Sequence, residues 1–318
     1  VRFETWSNDT DSDRARYLAG NVPGASYYSD RDTTWAIGGS RVRIKGTYGP
    51  LVLGYTHNQG GSTGDYWAEW AAGPFKLYMG VYDPPTFMIP SQAMGGTWSF
   101  CSPAPGSDDG LMMFRFDLGG VDVMFALIDP DSGQSTVYPT ANDKDFTLPK
   151  IEGSFDWKIG MFRIRGAAGM LDYDEVDTTN NHEYSVKSWL WELRGYLNMG
   201  PFEVGLFYWD SENPVAYGIG SDEVGYTYIN DQIRDMNATG WETYATWAIN
   251  DKFKLYAGYG TRESEGYLTG DSSLTTAERA VYYAKLQYEI TKNFMVYPMY
   301  SVRDYKEITN ASGTSTTP

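Results

Sequence analysis

The sequence is short of the residues that most often carry chemistry. One cysteine and two histidines among 318 residues leave no disulfide framework and no His/Cys zinc site. Basic residues are scarce beside acidic ones: 25 Lys and Arg against 41 Asp and Glu give a formal charge of −16. The broad basic face that holds nucleic-acid phosphates is therefore missing, and no nucleic-acid partner is expected. No apolar run approaches the roughly 18 residues of a membrane-spanning helix, and mean hydropathy is −0.45. There is no glycine-rich phosphate loop ending in Lys-Ser/Thr, no His-Glu-x-x-His and no Gly-x-Ser-x-Gly. His57 and His182 lie in polar stretches without a Ser or Cys partner close in sequence, and Cys101, between Phe100 and Ser102, would need a base from elsewhere. The expectation is a protein that is not an enzyme. Its start at Val1, with neither initiator Met nor apolar leader, is expected of a mature secreted product or a trimmed chain.

What is present is glycine (35), tyrosine (26) and tryptophan (11), set in strict apolar/polar alternation. A period of two marks half-buried strands, and helical spacing is almost absent. Arg41 to Lys45 and Leu51 to Tyr55 flank Thr47-Tyr48-Gly49-Pro50, and the same pattern recurs at Ala72-Gly73-Pro74, Leu118-Gly119-Gly120, Trp157-Lys158-Ile159-Gly160, Asn198-Met199-Gly200-Pro201, Ile249-Asn250-Asp251-Lys252 and Ile290-Thr291-Lys292-Asn293. These are seven short-turn hairpins, and Val1 to Trp6 adds a fifteenth strand. Long polar segments at about 8–33, 58–65, 83–110, 129–150, 174–188, 210–238 and 261–279 separate the hairpins. Fifteen strands leave two open edges, so a sixteenth, closing strand is expected that this sequence does not contain.

Alternation alone does not say whether the apolar face is a core or a lipid-facing surface. The opposite face carries charge in mid-strand: Arg41, Arg43, Lys45, Lys76, Arg115, Arg163, Arg165, Arg194, Lys254, Lys285 and Arg303, with Glu69, Asp117, Asp122, Glu192, Glu203 and Glu242. A water-filled lumen tolerates such residues, because charges there escape the cost of dry burial. On the apolar parity, Tyr48, Trp70, Phe75, Trp157, Phe202, Trp247, Phe253, Tyr288 and Phe294 cluster beside the short turns. Tyr66, Trp189, Tyr208, Trp241, Tyr259, Tyr282 and Tyr300 fall toward the long loops. Two aromatic bands bracketing aliphatic residues are the pattern of rings at two lipid–water interfaces.

In strand count, short turns, long loops and one very long loop after the fifth strand, the chain resembles the general porins of Gram-negative outer membranes. That loop, Asp83 to Gly110, spans 28 residues and contains Pro84, Pro85, Pro90, Gly95, Gly96, Pro103 and Pro105. The resemblance implies one all-β domain over 1–318, a transmembrane antiparallel up-and-down barrel of about 16 strands in the bacterial outer membrane. It implies that the 83–110 loop folds inward to narrow the lumen, that loop 58–65 latches onto a neighbour, and that three chains associate. Outer-membrane lipid and lipopolysaccharide are then surroundings, small hydrophilic solutes and ions the cargo. Two departures stand out: the chain ends Thr316-Thr317-Pro318 where the family closes on an aromatic residue, and Asp83, Asp108 and Asp109 are only approximate counterparts of the family's constriction acids.

On the charged face basic residues outnumber acidic ones eleven to six, which leaves the loops strongly acidic and suggests a weakly anion-favouring wall. The alternative is that the same arginines only pair with Glu69, Asp117, Glu192 and Glu203. Tyr78, Tyr82, Tyr196, Phe207, Trp209, Tyr256 and Tyr297 share the inward parity, and a sugar-selective porin would use such rings for stacking. A soluble secreted protein that binds or degrades glycans is the competing class. Asp9, Asp11 and Asp13, and the run Asp172, Asp174, Glu175 and Asp177, are weak calcium candidates lacking the spacing of a helix-loop-helix site; no other cofactor is expected. Ala36, Gly38 and Ser40, small residues on the lipid parity, suit contact with a second barrel.

Overall fold

The computed structural model describes residues 2–9, 31–38, 41–58, 63–86, 110–130, 142–177, 182–217, 227–229, 232–267, 274–291, 294–310 and 315–316, with side chains from Ile44 to Asp304 apart from loop margins. Its strands are β1 (Arg2–Asp9), β2 (Arg31–Gly38), β3 (Arg41–Tyr48), β4 (Leu51–Asn58), β5 (Thr63–Ala72), β6 (Phe75–Val81), β7 (Gly110–Asp117), β8 (Val121–Ile128), β9 (Asn142–Asp145), β10 (Lys150–Ile159), β11 (Phe162–Asp177), β12 (His182–Met199), β13 (Phe202–Glu212), β14 (Thr227–Ile229), β15 (Gln232–Arg234), β16 (Asn237–Ala248), β17 (Phe253–Tyr267), β18 (Leu274–Thr291), β19 (Phe294–Val296), β20 (Met299–Asn310) and β21 (Ser315–Thr316). Among the described residues the one helical element is a 3-10 turn at Pro214–Tyr217.

Each long strand pairs antiparallel with the next in sequence, from β3 through β8 to β10, then β11, β12, β13, β16, β17, β18 and β20. This is an up-and-down barrel wall. β1, which covers the strand expected at Val1 to Trp6, pairs with β2 along Arg2↔Gly38 to Asp9↔Arg31 in a separate two-stranded sheet, and β2 begins inside the segment read as the first long loop. The two-residue β21 turns back onto the end of β20 through Ile308↔Thr316 and Thr309↔Ser315.

Most turns fall where the sequence puts them. Gly200 adopts φ 65° before Pro201, a left-handed conformation that costs glycine little. One turn differs: the chain reverses at Gly160–Met161, with Gly160 at φ 58°. The segment read as a turn, Trp157 to Ile159, continues β10 instead, because Gly160 is the residue able to take the reversal without a Cβ clash. The long loops are also shorter than the sequence suggests, since β11, β12, β17 and β18 run 15 to 18 residues, beyond the roughly 9–11 that span a bilayer. β9 forms inside the segment 129–150 and pairs with the upper part of β11.

Burial alternates residue by residue along the wall, as in β16 and β18. The outward parity is apolar and exposed: Ile44, Leu53, Met79, Phe116, Phe155, Leu193, Leu206 and Leu255 among others. Ring pairs organise the band beside the short turns, with Phe202–Trp247 at 5.7 Å, Phe253–Tyr288 at 4.6 Å and Phe75–Phe116 at 5.3 Å. The band toward the long loops runs Trp191–Tyr208 at 5.3 Å, Trp241–Tyr259 at 5.2 Å and Tyr259–Tyr282 at 4.7 Å. An exposed apolar surface of this extent is intolerable in water and is what a barrel presents to lipid.

Candidate functional site

The inward face is assembled by register. Lys76 faces Arg115 and Ala71, Asp117 faces Asp122, Asp156 faces Asp122 and Arg165, Lys158 faces Arg163, and Arg165 faces Arg194. Glu192 with Trp209, Phe207 with Glu242, and Tyr256 with Lys285 continue the same face around the wall. Arg43 and Lys45 oppose Thr56 and Gly54 of β4, and Arg41 opposes Asn58, which puts this ladder on the same parity; the side chains of Arg41 and Arg43 lie outside the described residues. Lys254 opposite Gln287 and Arg303 opposite Val281 share this parity by register.

Toward the short turns the face is wet and its charges are paired in one sense. Lys76 Nζ lies 2.9 Å from Glu69 Oε1, with the lysine side chain 39% exposed and the glutamate 13%. Arg115 grips Asp122 with both Nε (2.9 Å) and Nη2, at 39% against 21% exposure. Arg163 grips Asp156 through Nε (2.8 Å) and Nη2, at 36% against 13%. In all three pairs the carboxylate sits against the wall and the cation faces the water. Asp156, which sequence reading places at the edge of a turn, is thus the partner of Arg163, and Arg165 Nε reaches it at 3.5 Å. Asp117 is spent differently: its carboxylate accepts from Gly119 N at 3.0 Å and caps the turn. Glu203 accepts from the Tyr244 hydroxyl at 3.0 Å.

Toward the long loops the same face is dry. Arg194 is fully buried with its guanidinium 4.2 Å from the Phe207 ring centre, and it acts on both Glu192 and Glu242. Above them lies an apolar cluster of Leu171, Tyr173, Val186, Leu190, Phe207, Trp209 and Tyr217, joined by Met236 and Ala238. Tyr78, Phe207, Trp209 and Tyr256 are buried, so these inward rings do not offer a face for a passing sugar to stack upon.

Two loops reach into this dry half and meet on β10. Thr86, at the start of the 83–110 loop, gives its backbone N–H (2.9 Å) and its hydroxyl (2.7 Å) to Glu152 Oε2. Pro84, Pro85 and Thr86 are buried, and the chain from β6 crosses β7 and β8 to make this contact. Lys150 Nζ lies 3.3 Å from Glu152 Oε1, 3.4 Å from the Ala216 carbonyl and 5.4 Å from the Tyr217 ring centre. The 3-10 turn after β13 therefore docks on the same Lys150–Glu152 pair, with Asn213 holding it from below through Lys187 O and Met236 N (2.8 and 2.9 Å). Lys150, Glu152 and Lys158 escaped sequence reading, although alternation from Ser154 backward and forward along β10 carries the signal.

Asp83 is exposed at the start of the loop, whereas Asp108 and Asp109 lie outside the described residues. Asp11 and Asp13 do also, as does the Asp9 side chain. The second acidic run is divided by the pleat: Asp172 points outward opposite Lys187, and Glu175 is buried inward opposite Tyr184. Among the described residues no group of three or more acids, histidines or cysteines could hold a metal.

Residues 3–307 match the family described as Gram-negative porin. Among solved structures, the outer-membrane channel DcaP of Acinetobacter baumannii superposes with a TM-score of 0.67 at 11% identity, over 92% of this chain and 85% of that one. The trimer form of OmpT from Vibrio cholerae gives 0.59 at 14% identity, over 91% and 90%. Salmonella typhi OmpF, solved with daunomycin, gives 0.58 at 13%, over 98% and 92%. A search of curated proteins finds no match. A lipid-facing wall with two ring bands, a charged inward face and a match over nearly the whole length place this chain in the Gram-negative porin family, the channel proteins of the bacterial outer membrane.

Proposed function

We propose that the protein is a passive diffusion channel for small hydrophilic solutes and ions, with a weak preference for anions. The observation that carries the reading is the orientation of the three wall pairs: Lys76, Arg115 and Arg163 face the lumen while Glu69, Asp122 and Asp156 lie behind them. A solute in the wet half meets cations first, and the Arg41, Arg43 and Lys45 ladder adds to the same face by register. A unit charge about 10 Å away in water contributes about 0.4 kcal/mol, roughly a twofold bias in local ion concentration before salt screening. The preference is accordingly weak, and the acidic loops oppose it at the outer mouth.

The inward course of the 83–110 loop is supported by the Thr86–Glu152 contact, which carries the loop start past β7 and β8 to the inner face of β10. A homotrimer is supported by the similarity to a porin solved in a trimer form. The test is reconstitution of detergent-purified protein into planar bilayers in symmetric salt. Open steps grouped in threes are the expected result; folded, heat-modifiable protein that passes no current would overturn the channel reading.

A further inference from the structure

Just inside the short-turn mouth, the β10–β11 hairpin concentrates three cations around one carboxylate. Asp156 faces Arg165 and Lys158 faces Arg163 on alternate rungs of the same hairpin. Opposed inward positions on neighbouring strands have Cβ atoms about 4.5–5.5 Å apart and diagonal ones about 7–8 Å, so long side chains at these four positions converge on one small volume. Arg163 commits Nε and Nη2 to Asp156. Arg165 engages the same carboxylate through Nε at 3.5 Å, which leaves the outer fork of its guanidinium directed away from that contact. Lys158 is exposed and makes no ion pair within 4 Å among the described residues, although it acts on Asp156 electrostatically together with both arginines. Three positive charges against one negative leave an excess of two.

Among the surrounding carboxylates, Glu192 on β12 acts on Arg165 but is buried and shared with Arg194. Asp122 faces Asp156 from β8 but is held by both arms of Arg115. From β12, Arg194 stands beside Arg165 and Tyr196 beside Arg163, the tyrosine ring lying 5.6 Å from the Arg163 guanidinium. Glu203 on β13 acts on Arg163 from a distance while accepting from Tyr244.

We propose that Lys158, Arg163 and Arg165, arranged on Asp156, form a binding site for small doubly charged oxyanions at the short-turn mouth. A guanidinium fork and an ammonium together match the geometry of a tetrahedral or carboxylate oxyanion, and the excess of two charges matches a dianion. Asp156 positions the site by fixing Arg163 and steering Arg165, which keeps the cations from splaying apart. The site deepens the anion preference proposed above and rests on it for delivery of the ligand.

The test uses the full-length protein in planar bilayers, with inorganic sulfate as the dianion and nitrate as its singly charged comparator, added from each side at constant ionic strength. Sulfate is expected to reduce chloride current with saturation, at lower concentration from the side of the short turns, and nitrate is not. In the double variant Lys158→Gln/Arg165→Gln the half-blocking sulfate concentration should rise by about fivefold or more, the sum of two partly exposed charge contacts. Lys252→Gln, which removes an exposed cation of the β16–β17 turn at the same mouth, should leave that concentration unchanged. Lys158→Gln alone, at an exposed position without an ion pair, guards against misfolding of the double variant and should give part of the shift. Equal block in the native protein and the double variant, or equal block by nitrate, overturns the site. An anion-selective channel without sulfate block leaves the anion preference standing and removes the site; a cation-selective channel with intact block removes the anion preference and leaves the site standing.

Discussion

Thr86 and Glu152, 66 positions apart, are joined by two hydrogen bonds to a single carboxylate oxygen, at 2.9 and 2.7 Å. The pairing ties the start of the longest loop to the inner face of a strand it would not meet if it stayed outside the barrel. Hydrogen bonds to a charged group contribute about 1.5–3 kcal/mol each, enough to hold the loop start against thermal motion. Thr86→Val keeps the backbone donor and loses the hydroxyl, so about half of this anchoring should go. The expected outcome is noisier single-channel current with an unchanged barrel melting temperature. A quiet, native-like trace would mean that the loop is held elsewhere.

Gly169 lies under the 3-10 turn, where a Cβ would fall 2.8 Å from the Tyr217 ring and 3.0 Å from Glu152 Cγ. Gly169→Ala should therefore displace Tyr217 from its seat without breaking the β11 ladder, to which position 169 contributes only backbone. Conductance should rise, because the turn leaves the lumen. Unaltered conductance in a folded variant would show that the turn is not part of the narrow passage.

Tyr217 is buried against the wall, and that burial pushes its phenol well above the ordinary tyrosine value. With the docked value raised above the free one, docking of the turn is fully supported below about pH 10 and is progressively lost as pH rises beyond it. Current noise from this turn should grow above about pH 10. Tyr217→Phe should abolish that growth and, because the hydroxyl has no hydrogen-bond partner among the described residues, should dock at neutral pH at least as firmly as the native ring. Noise that is independent of pH in the native channel would contradict the assignment.

Much of the wall was legible because its code is local. Alternation fixes which residues share a face, and Arg163 with Arg165, or Glu192 with Arg194, fall on the inward parity for no reason beyond the pleat. The destinations of the loops were not legible. Nothing around Thr86 announces Glu152, and Pro214 to Tyr217 reads as one more polar connection until Lys150 and Gly169 are seen beneath it. Lys158 is hidden for a different reason: the Trp157 to Gly160 segment has the length of a turn, and only the reversal at Gly160 adds the rung on which Lys158 faces Arg163. The extensions of β11, β12, β17 and β18 beyond the membrane band carry Asp, Glu, Ser and Thr, residue types that loops share, so their pairing is not visible in the sequence.

The orientation of the wall pairs makes a graded prediction. Replacing Lys76, Arg115 and Arg163 one at a time by Gln should each lower the anion-to-cation permeability ratio by less than about twofold, and together by several-fold, with the effect shrinking at high salt. Replacing Glu69 should change it less than replacing Lys76, because the glutamate is the shielded member of that pair. Equal and opposite effects from the two would contradict the shielding.

The central claim, a water-filled channel whose wet wall presents cations, is tested most directly by the zero-current potential of the native protein across a bilayer with a potassium chloride gradient. The account predicts a reversal potential of the sign that reports chloride passing more readily than potassium, moving toward zero as Lys76, Arg115 and Arg163 are removed. A potential reporting cation preference in the native channel would contradict it.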